Sequence, residues 1–436
     1  MKDHWEIFKQ KLYFVRAVAR VAASLFIVTT LLVSISYSQT QTPKTRNKSM
    51  GQRSSPSPEK GLLVARTEYV GDQSCAKCHQ EMVESYHKTA HFLTSQTSNA
   101  KSVAGTFDSG ANTMITMNPN LWFRMDAKGT DFFQTAVYGP KPGDDNLPPS
   151  VRTRTEKFDL VIGSGGKGQT YLFWKENELY QLPIGYSTVL RKWINGPGYT
   201  DGTANFERGI IPRCLECHAT YFESEIPGPE FNLYKKNNFT LGISCERCHG
   251  PGRMHVQSES AKVPGQTATE IVNPTKLTPA RKEEVCAQCH GGQGVRELLP
   301  AFSFIPGQPL EKYIDLGKTE SAADVDVHGK QGKLLMKSKC FQAAGDMTCS
   351  TCHNVHKPEP DLAAMSQHCL TCHKLESVAT QFPTHVKTGE GIAKDCVSCH
   401  MPTLESKVVS LDVDGKKVRP RFRSHWIRVY SEAERQ

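Results

Sequence analysis

Cys75-Ala76-Lys77-Cys78-His79 decides the reading of this chain. Cys-x-x-Cys-His is the attachment pattern of a c-type haem. The two thiols add across the porphyrin vinyl groups as thioethers, and the adjacent His reaches the iron from one side. The pattern returns at Cys214, Cys217 and His218; at Cys245, Cys248 and His249; and at Cys286, Cys289 and His290. It returns again at Cys349, Cys352 and His353; at Cys369, Cys372 and His373; and at Cys396, Cys399 and His400. A lone Cys-x-x-Cys fits a zinc half-site or a redox disulfide. Seven copies, each with His directly after the second Cys, fit neither, and seven covalently bound haem c groups with their iron are expected.

Of 15 Cys, the motifs use all but Cys340, so no disulfide framework is expected. Cys340 reads as a small buried hydrophobe; a thiol beside an iron or a propionate, or an intermolecular link, is the alternative. Hydrophobic residues make up 38% of the 436-residue chain, thin for an ordinary core of that length. Porphyrin faces would supply the missing apolar surface, as metals and disulfides staple small domains.

The formal charge of +9 does not point to nucleic acid. Seven haems would bring about 14 propionates, which Lys and Arg pair with. Lys2, Lys9, Lys11, Arg16 and Arg20 precede an uncharged run from Val21 to Ser38. Residues 1–38 therefore read as a secretory signal peptide cleaved near Ser38, or as an uncleaved N-terminal membrane anchor. Either places the remainder in the periplasm or another extracytoplasmic space.

Residues 39–67 are rich in Ser, Thr, Gln, Pro and Lys and read as a flexible linker. Residues 68–99 form the first haem-binding segment, with a helix expected over Gln80 to Phe92. Residues 100–213 carry no Cys or His and collect Val, Thr, Phe, Tyr and Trp in short runs. They read as a haem-free, mostly β insert, with strands expected at Asp131–Tyr138, Lys157–Ile162, Tyr171–Trp174 and Glu178–Leu182. Gly163-Ser164-Gly165-Gly166-Lys167-Gly168 satisfies a dinucleotide fingerprint on paper, but a strand rather than a helix follows it, so a hairpin turn is expected. Residues 214–436 form a six-haem cluster domain with a C-terminal tail. Helical pieces are expected at Pro279–Ala287 and Pro360–Gln367, and a hairpin over Lys407–Arg419. The expected fold is that of a multihaem cytochrome c: mainly α and irregular, organised around stacked haems, with a β insert.

Each motif gives its iron one axial His; the opposite position decides potential and substrate access. Eight further His lie beyond the signal region: His87, His91, His255, His328, His356, His368, His385 and His425. Seven would be needed for bis-histidine ligation throughout, so no site is forced open. His255 and His356 follow motifs closely and rank highest. His87 and His368 rank lowest, since His87 shares a helix face with His91 and His368 abuts Cys369.

Glu68-Tyr-Val-Gly-Asp-Gln-Ser-Cys-Ala-Lys-Cys-His with Thr89-Ala90-His91 resembles the opening of the cytochrome c-554/c-prime-like multihaem cytochromes. Tyr171-Leu-Phe-Trp, Cys248-His-Gly-Pro-Gly, Cys352-His-Asn-Val-His and Cys399-His-Met-Pro resemble recurrent phrases of the same proteins. The resemblance implies closely stacked haem pairs, mostly bis-histidine ligation and periplasmic electron transfer. It puts distal ligands at His91, His255, His356, His385 and His425, with His328 similar. The function expected is an exported heptahaem cytochrome carrying electrons from a membrane-associated donor to a periplasmic or extracellular acceptor. Its partners would be redox proteins, such as a quinol-linked donor or respiratory complex. The alternative is an oxidoreductase acting on a small nitrogen or sulfur compound at a haem with an open axial site. The two differ in whether any iron can bind an added ligand.

Overall fold

The computed structural model describes residues 65–142, 151–226, 228–261, 270–292, 295–317, 325–381, 385, 391–413 and 416–435. The signal or anchor segment and most of the linker lie outside the described residues, as do Asp414 and Gly415 of the C-terminal hairpin. No helix among the described residues is long and apolar enough to cross a membrane.

The chain enters through a 3-10 turn at Arg66–Glu68 and the helix Asp72–Tyr86, whose backbone departs from helical angles at His79, the last residue of the first motif. Ten strands follow: β1 Ser95–Thr97, β2 Thr113–Ile115, β3 Leu121–Lys128, β4 Asp131–Tyr138, β5 Arg152–Lys157, β6 Leu160–Ile162, β7 Gly168–Lys175, β8 Glu178–Gln181, β9 Ile184–Ser187 and β10 Lys192–Asn195. One antiparallel sheet runs β2-β3-β4-β5; a second runs β1-β6-β7-β9-β10, with β8 also on β7. The strand expected over Lys157–Ile162 is two strands. Lys157 ends β5 against Phe133, and Leu160 starts β6 against Leu172 in the other sheet.

Alternation explains the packing. On β3, Leu121, Phe123 and Met125 are buried while Arg124 is exposed. They meet Phe132, Phe158, Tyr171, Phe173, Tyr186 and Trp193 in one core between the sheets. The opposite face of β6 and β7 presents Leu160 and Leu172 to a second core. Leu215, Ala219, Phe222 and Tyr234 complete it, from the helix Pro212–Glu216 and from the hairpin β11 Ala219–Ser224 with β12 Tyr234–Leu241. Leu215 sits inside the second motif, so the sheet directly positions that motif. Strands and motif-bearing segments belong to one compact unit over residues 60–436.

Gly163–Gly168 is the turn between antiparallel β6 and β7. Gly163 has φ +106°, and a Cβ there would lie 2.6 Å from the Gly168 carbonyl oxygen. The glycines serve the tight turn, and no helix N-terminus follows to hold a phosphate.

Beyond Cys245 the elements are short: helices Cys245–His249, Arg253–Ser260, Pro279–His290, Gln331–Leu335, Lys339–Ala344, Leu362–Leu370 and Ile392–His400. Small strand pairs follow the last of them, Thr403–Glu405 with Arg421–Arg423 and Leu411–Val413 with Lys416–Val418. The fold is mixed helix and strand rather than mainly α. The helices Leu362–Leu370 and Ile392–His400 are tied by Ser366, whose Oγ donates to the Lys394 carbonyl at 3.0 Å.

Candidate haem-binding site

The motif segments surround one cavity of about 3830 Å³. Small-molecule pockets hold roughly 300–1,000 Å³, so this space suits several large groups. All motif His line it, and every motif Cys except Cys214. His91, His255, His328, His356, His368, His385 and His425 line it as well. His87 does not: its Nε2 meets Asp72 Oδ2 at 3.0 Å, and its ring stacks on Phe92 at 3.8 Å.

Four motif His face a second His across nearly constant gaps. Ring centroids lie 6.1 Å apart for His91 and His290, 6.0 Å for His249 and His356, 6.1 Å for His353 and His425, and 6.0 Å for His385 and His400. These gaps are too wide for stacking contact. Two imidazoles sharing one metal at about 2.0–2.1 Å per bond, taking the zinc–imidazole length as a guide, have centroids roughly 6 Å apart. His79, His218 and His373 have no such facing His ring among the described residues.

The ring nitrogens are already sorted. Nδ1 of His249 donates to the Val272 carbonyl at 2.8 Å, and Nδ1 of His400 to the Arg428 carbonyl at 2.9 Å. Nδ1 of His385 reaches the Val378 carbonyl at 3.3 Å, and that of His425 the Arg423 carbonyl at 3.4 Å. His353 Nδ1 donates to Glu359 at 3.2 Å. A carbonyl only accepts, so Nδ1 carries the proton and Nε2 keeps its lone pair for a metal. His218 Nδ1 pairs with Thr94 Oγ1 at 3.1 Å, a hydroxyl that can donate or accept. Burial holds His290 down to about 4, with His91 adding to the effect, and lowers His218, His249 and His356 as well. Neutral imidazole is the ligating form.

Contacts between motifs give their order in space. The first touches the third through Cys75 and Cys245, and Cys245 N donates to Asp72 Oδ1 at 3.4 Å. The second touches the fourth through Cys217 and Cys289, and the Cys289 thiol reaches the Glu216 carbonyl at 3.9 Å. The fourth touches the fifth through Cys286 and Cys349; Glu283 accepts from Cys349 N at 2.6 Å. The sixth touches the seventh through Cys369 and Cys396. Cys340 lines the same cavity as Cys352 of the fifth.

Ser244 Oγ, Arg247 Nε, Gln288 Oε1, Gln331 Oε1 and Arg428 Nε are buried without a hydrogen-bond partner, and all five residues line the cavity. Buried polar atoms are rarely left so. Unpaired guanidinium N–H groups suit carboxylates such as haem propionates. Paired thiols, sorted His nitrogens and waiting donors fit covalent haem c.

The family described as cytochrome c554 and c-prime matches residues 74–118 and 199–250, which take in the first three motifs. Over these two segments the chain resembles this family of multihaem cytochromes. That likeness implies covalently bound haem c. This cytochrome is 21% identical over 267 residues to the dissimilatory sulfite reductase MccA of Wolinella succinogenes, covering 51% of its own length and 33% of that protein. It is 22% identical over 180 residues to the C-type polyheme cytochrome OmcC of Geobacter sulfurreducens, covering 40% of its own length and 22% of that protein. It thus spans a third or less of either relative. The crystal structure of the outer cell wall cytochrome OcwA superposes with a TM-score of 0.49 at 16% identity, covering 83% of this cytochrome and 79% of that one.

Residues that the sequence did not single out also shape the site. Glu216, Glu246, Arg247 and Gln288 are buried at 3–4% exposure and are the polar residues among the six between the cysteines of the second, third and fourth motifs. Their only sequence signal was that position between the two cysteines.

Proposed function

We propose that this protein is an exported heptahaem cytochrome that carries electrons between a membrane-associated donor and a periplasmic or extracellular acceptor. The observation that carries the reading is the set of four His pairs facing one another at 6.0–6.1 Å. On it, His290 shares an iron with His91, His249 with His356, His353 with His425 and His400 with His385. His255 and His328 are the remaining proposed distal ligands. His87 is left out, because Asp72 and Phe92 already engage its ring. Bound haem c supplies reversible one-electron chemistry. The protein's part is to hold the motifs in contact from the first to the third, from the second to the fourth to the fifth, and from the sixth to the seventh. The donor is proposed to be a quinol-linked protein or respiratory complex at the membrane. Quantifying haem against protein after removal of the leader tests the count: seven per chain supports the reading, and fewer removes a motif from it.

One observation favours a second reading at the second motif. His218 has no facing His ring among the described residues, and the Gly163–Gly168 turn with Lys167 lines the same cavity. A small nitrogen or sulfur compound would bind there, a reading that the likeness to a sulfite reductase supports. Titrating the purified protein with cyanide, sulfite and hydroxylamine while counting high-spin iron by EPR separates the two. Seven low-spin, inert irons remove the second reading, while one ligand-binding iron per chain supports it.

A further inference from the structure

Ser338 stands at the N-cap of the helix Lys339–Ala344, where a serine hydroxyl ordinarily accepts from the N–H groups of the first turn. Here it makes no such bond. Its Oγ instead donates to the His425 carbonyl at 3.2 Å and accepts from Ile427 N at 2.7 Å, 87 and 89 residues away in the chain. Ser338 is fully buried by protein. It sits behind the cavity wall, between Lys337 and Lys339, which line it. Lys337 makes a second tie to the same segment, its Nζ lying over the Trp426 ring at 5.7 Å.

The segment that Ser338 grips serves two motifs. His425 faces His353 of the fifth motif at 6.1 Å. The Arg428 carbonyl takes the Nδ1 proton of His400 in the seventh motif at 2.9 Å, and Arg428 N donates to the His400 carbonyl at 3.3 Å. Tyr430 holds the segment from its other end; its buried hydroxyl donates to the Trp426 carbonyl at 2.7 Å. A hydrogen bond to the far nitrogen of a ligating imidazole orients the ring and raises its basicity. Axial ligation and such outer hydrogen bonds set haem potential. Moving residues 425–428 therefore disturbs the proposed ligand of one iron and the hydrogen bond behind the ligand of another.

We infer that Ser338 is a positioning residue that clamps residues 425–428 and so couples the irons at the fifth and seventh motifs through one length of backbone. The inference rests on the reading above in which His353 and His425 share an iron. Redox titration of the holoprotein, with EPR and haem content, tests it. Ser338→Ala removes both bonds without adding bulk. It is expected to move two of the one-electron steps upward, because a looser Arg428 carbonyl leaves His400 a weaker donor and a displaced His425 holds its iron less well. Part of one iron should turn high-spin. Amide exchange at Ile427 should accelerate about two- to tenfold, the loss of one neutral hydrogen bond. Tyr430→Phe is expected to move the same two steps, and it decides the matter where Ser338→Ala loads haem poorly. Ser102→Ala is the control. It removes a comparable buried hydroxyl from the β insert, one that donates to the Thr97 carbonyl at 2.7 Å and accepts from Asn99 N at 2.9 Å, and should leave every step and the EPR spectrum unchanged. Unmoved steps in both Ser338→Ala and Tyr430→Phe at full haem content, movement of one step alone, or equal movement in Ser102→Ala overturn the inference. A His425→Ala protein whose irons all stay low-spin would instead count against the ligand reading beneath it.

Discussion

Glu246→Ala tests the tie between the N-terminal motif and the rest of the chain. The carboxylate is 4% exposed and accepts three backbone N–H bonds, two of them from Val70 and Gly71 just ahead of the helix that carries Cys75. Each hydrogen bond to a charged group contributes about 1.5–3 kcal/mol. Water can replace the acceptor at half-buried Val70 and Gly71, but not at buried Gly252. The loss is therefore about 3–5 kcal/mol rather than three full bonds. At about 1.4 kcal/mol per factor of ten, amide exchange at Val70 and Gly71 should accelerate roughly 100- to 5,000-fold. Exchange in the β3–β4 pair should not change. Glu246→Gln keeps one acceptor and should fall between. Hydrogen exchange read by mass spectrometry on the holoprotein measures it. Wild-type protection at residues 69–73 in Glu246→Ala would refute the reasoning, since the three bonds would then not be what holds the segment.

His91→Ala should convert one low-spin iron per chain to high spin by EPR, while His87→Ala should leave the spectrum unchanged. Glu216 is buried, which alone would raise its carboxyl pKa, but Arg247 and Arg213 outweigh this and hold it below the ordinary value. Its stabilising contribution is thus present above the ordinary carboxyl range and is lost as pH falls through the depressed folded value. Glu216→Gln should accordingly flatten the acid side of the stability profile, measured by near-ultraviolet circular dichroism. Gly163→Ala meets the Gly168 carbonyl at 2.6 Å with φ at +106°, so it should cost more than about 1 kcal/mol and lower Tm in calorimetry. Phe123→Ala, fully buried between the sheets, should cost about 3–5 kcal/mol by denaturant unfolding.

Several parts of the fold could be read locally. The run of Phe, Thr, Val and Tyr in Asp131–Tyr138 marked its strand, and the strand after Gly168 marked the glycine run as a turn. The break at Phe158 and Asp159 could not be read, because it arises from two sheets competing for adjacent residues. After Cys214 the hairpin expected over Lys407–Arg419 is present as Leu411–Val413 with Lys416–Val418, but the pairing of Thr403–Glu405 with Arg421–Arg423 was not read, since strands so short leave too few residues for a periodic signal.

The cofactor chemistry was determined by sequence alone, because five consecutive residues supply both thioether sulfurs and one axial nitrogen, whatever surrounds them. Which second imidazole faces each of four motifs was decided only by the tertiary structure. His91 meets His290 and His356 meets His249, pairs far apart along the chain. Carbonyls such as those of Val272 and Arg428 then fix which nitrogen faces inward. The buried contact of Glu216 with Arg247 belongs to the same class: each residue is an ordinary charge in its own segment. Burial against one another makes these two a pair, because an ion removed from water needs a counter-ion, and for Arg247 that counter-ion is distant in sequence.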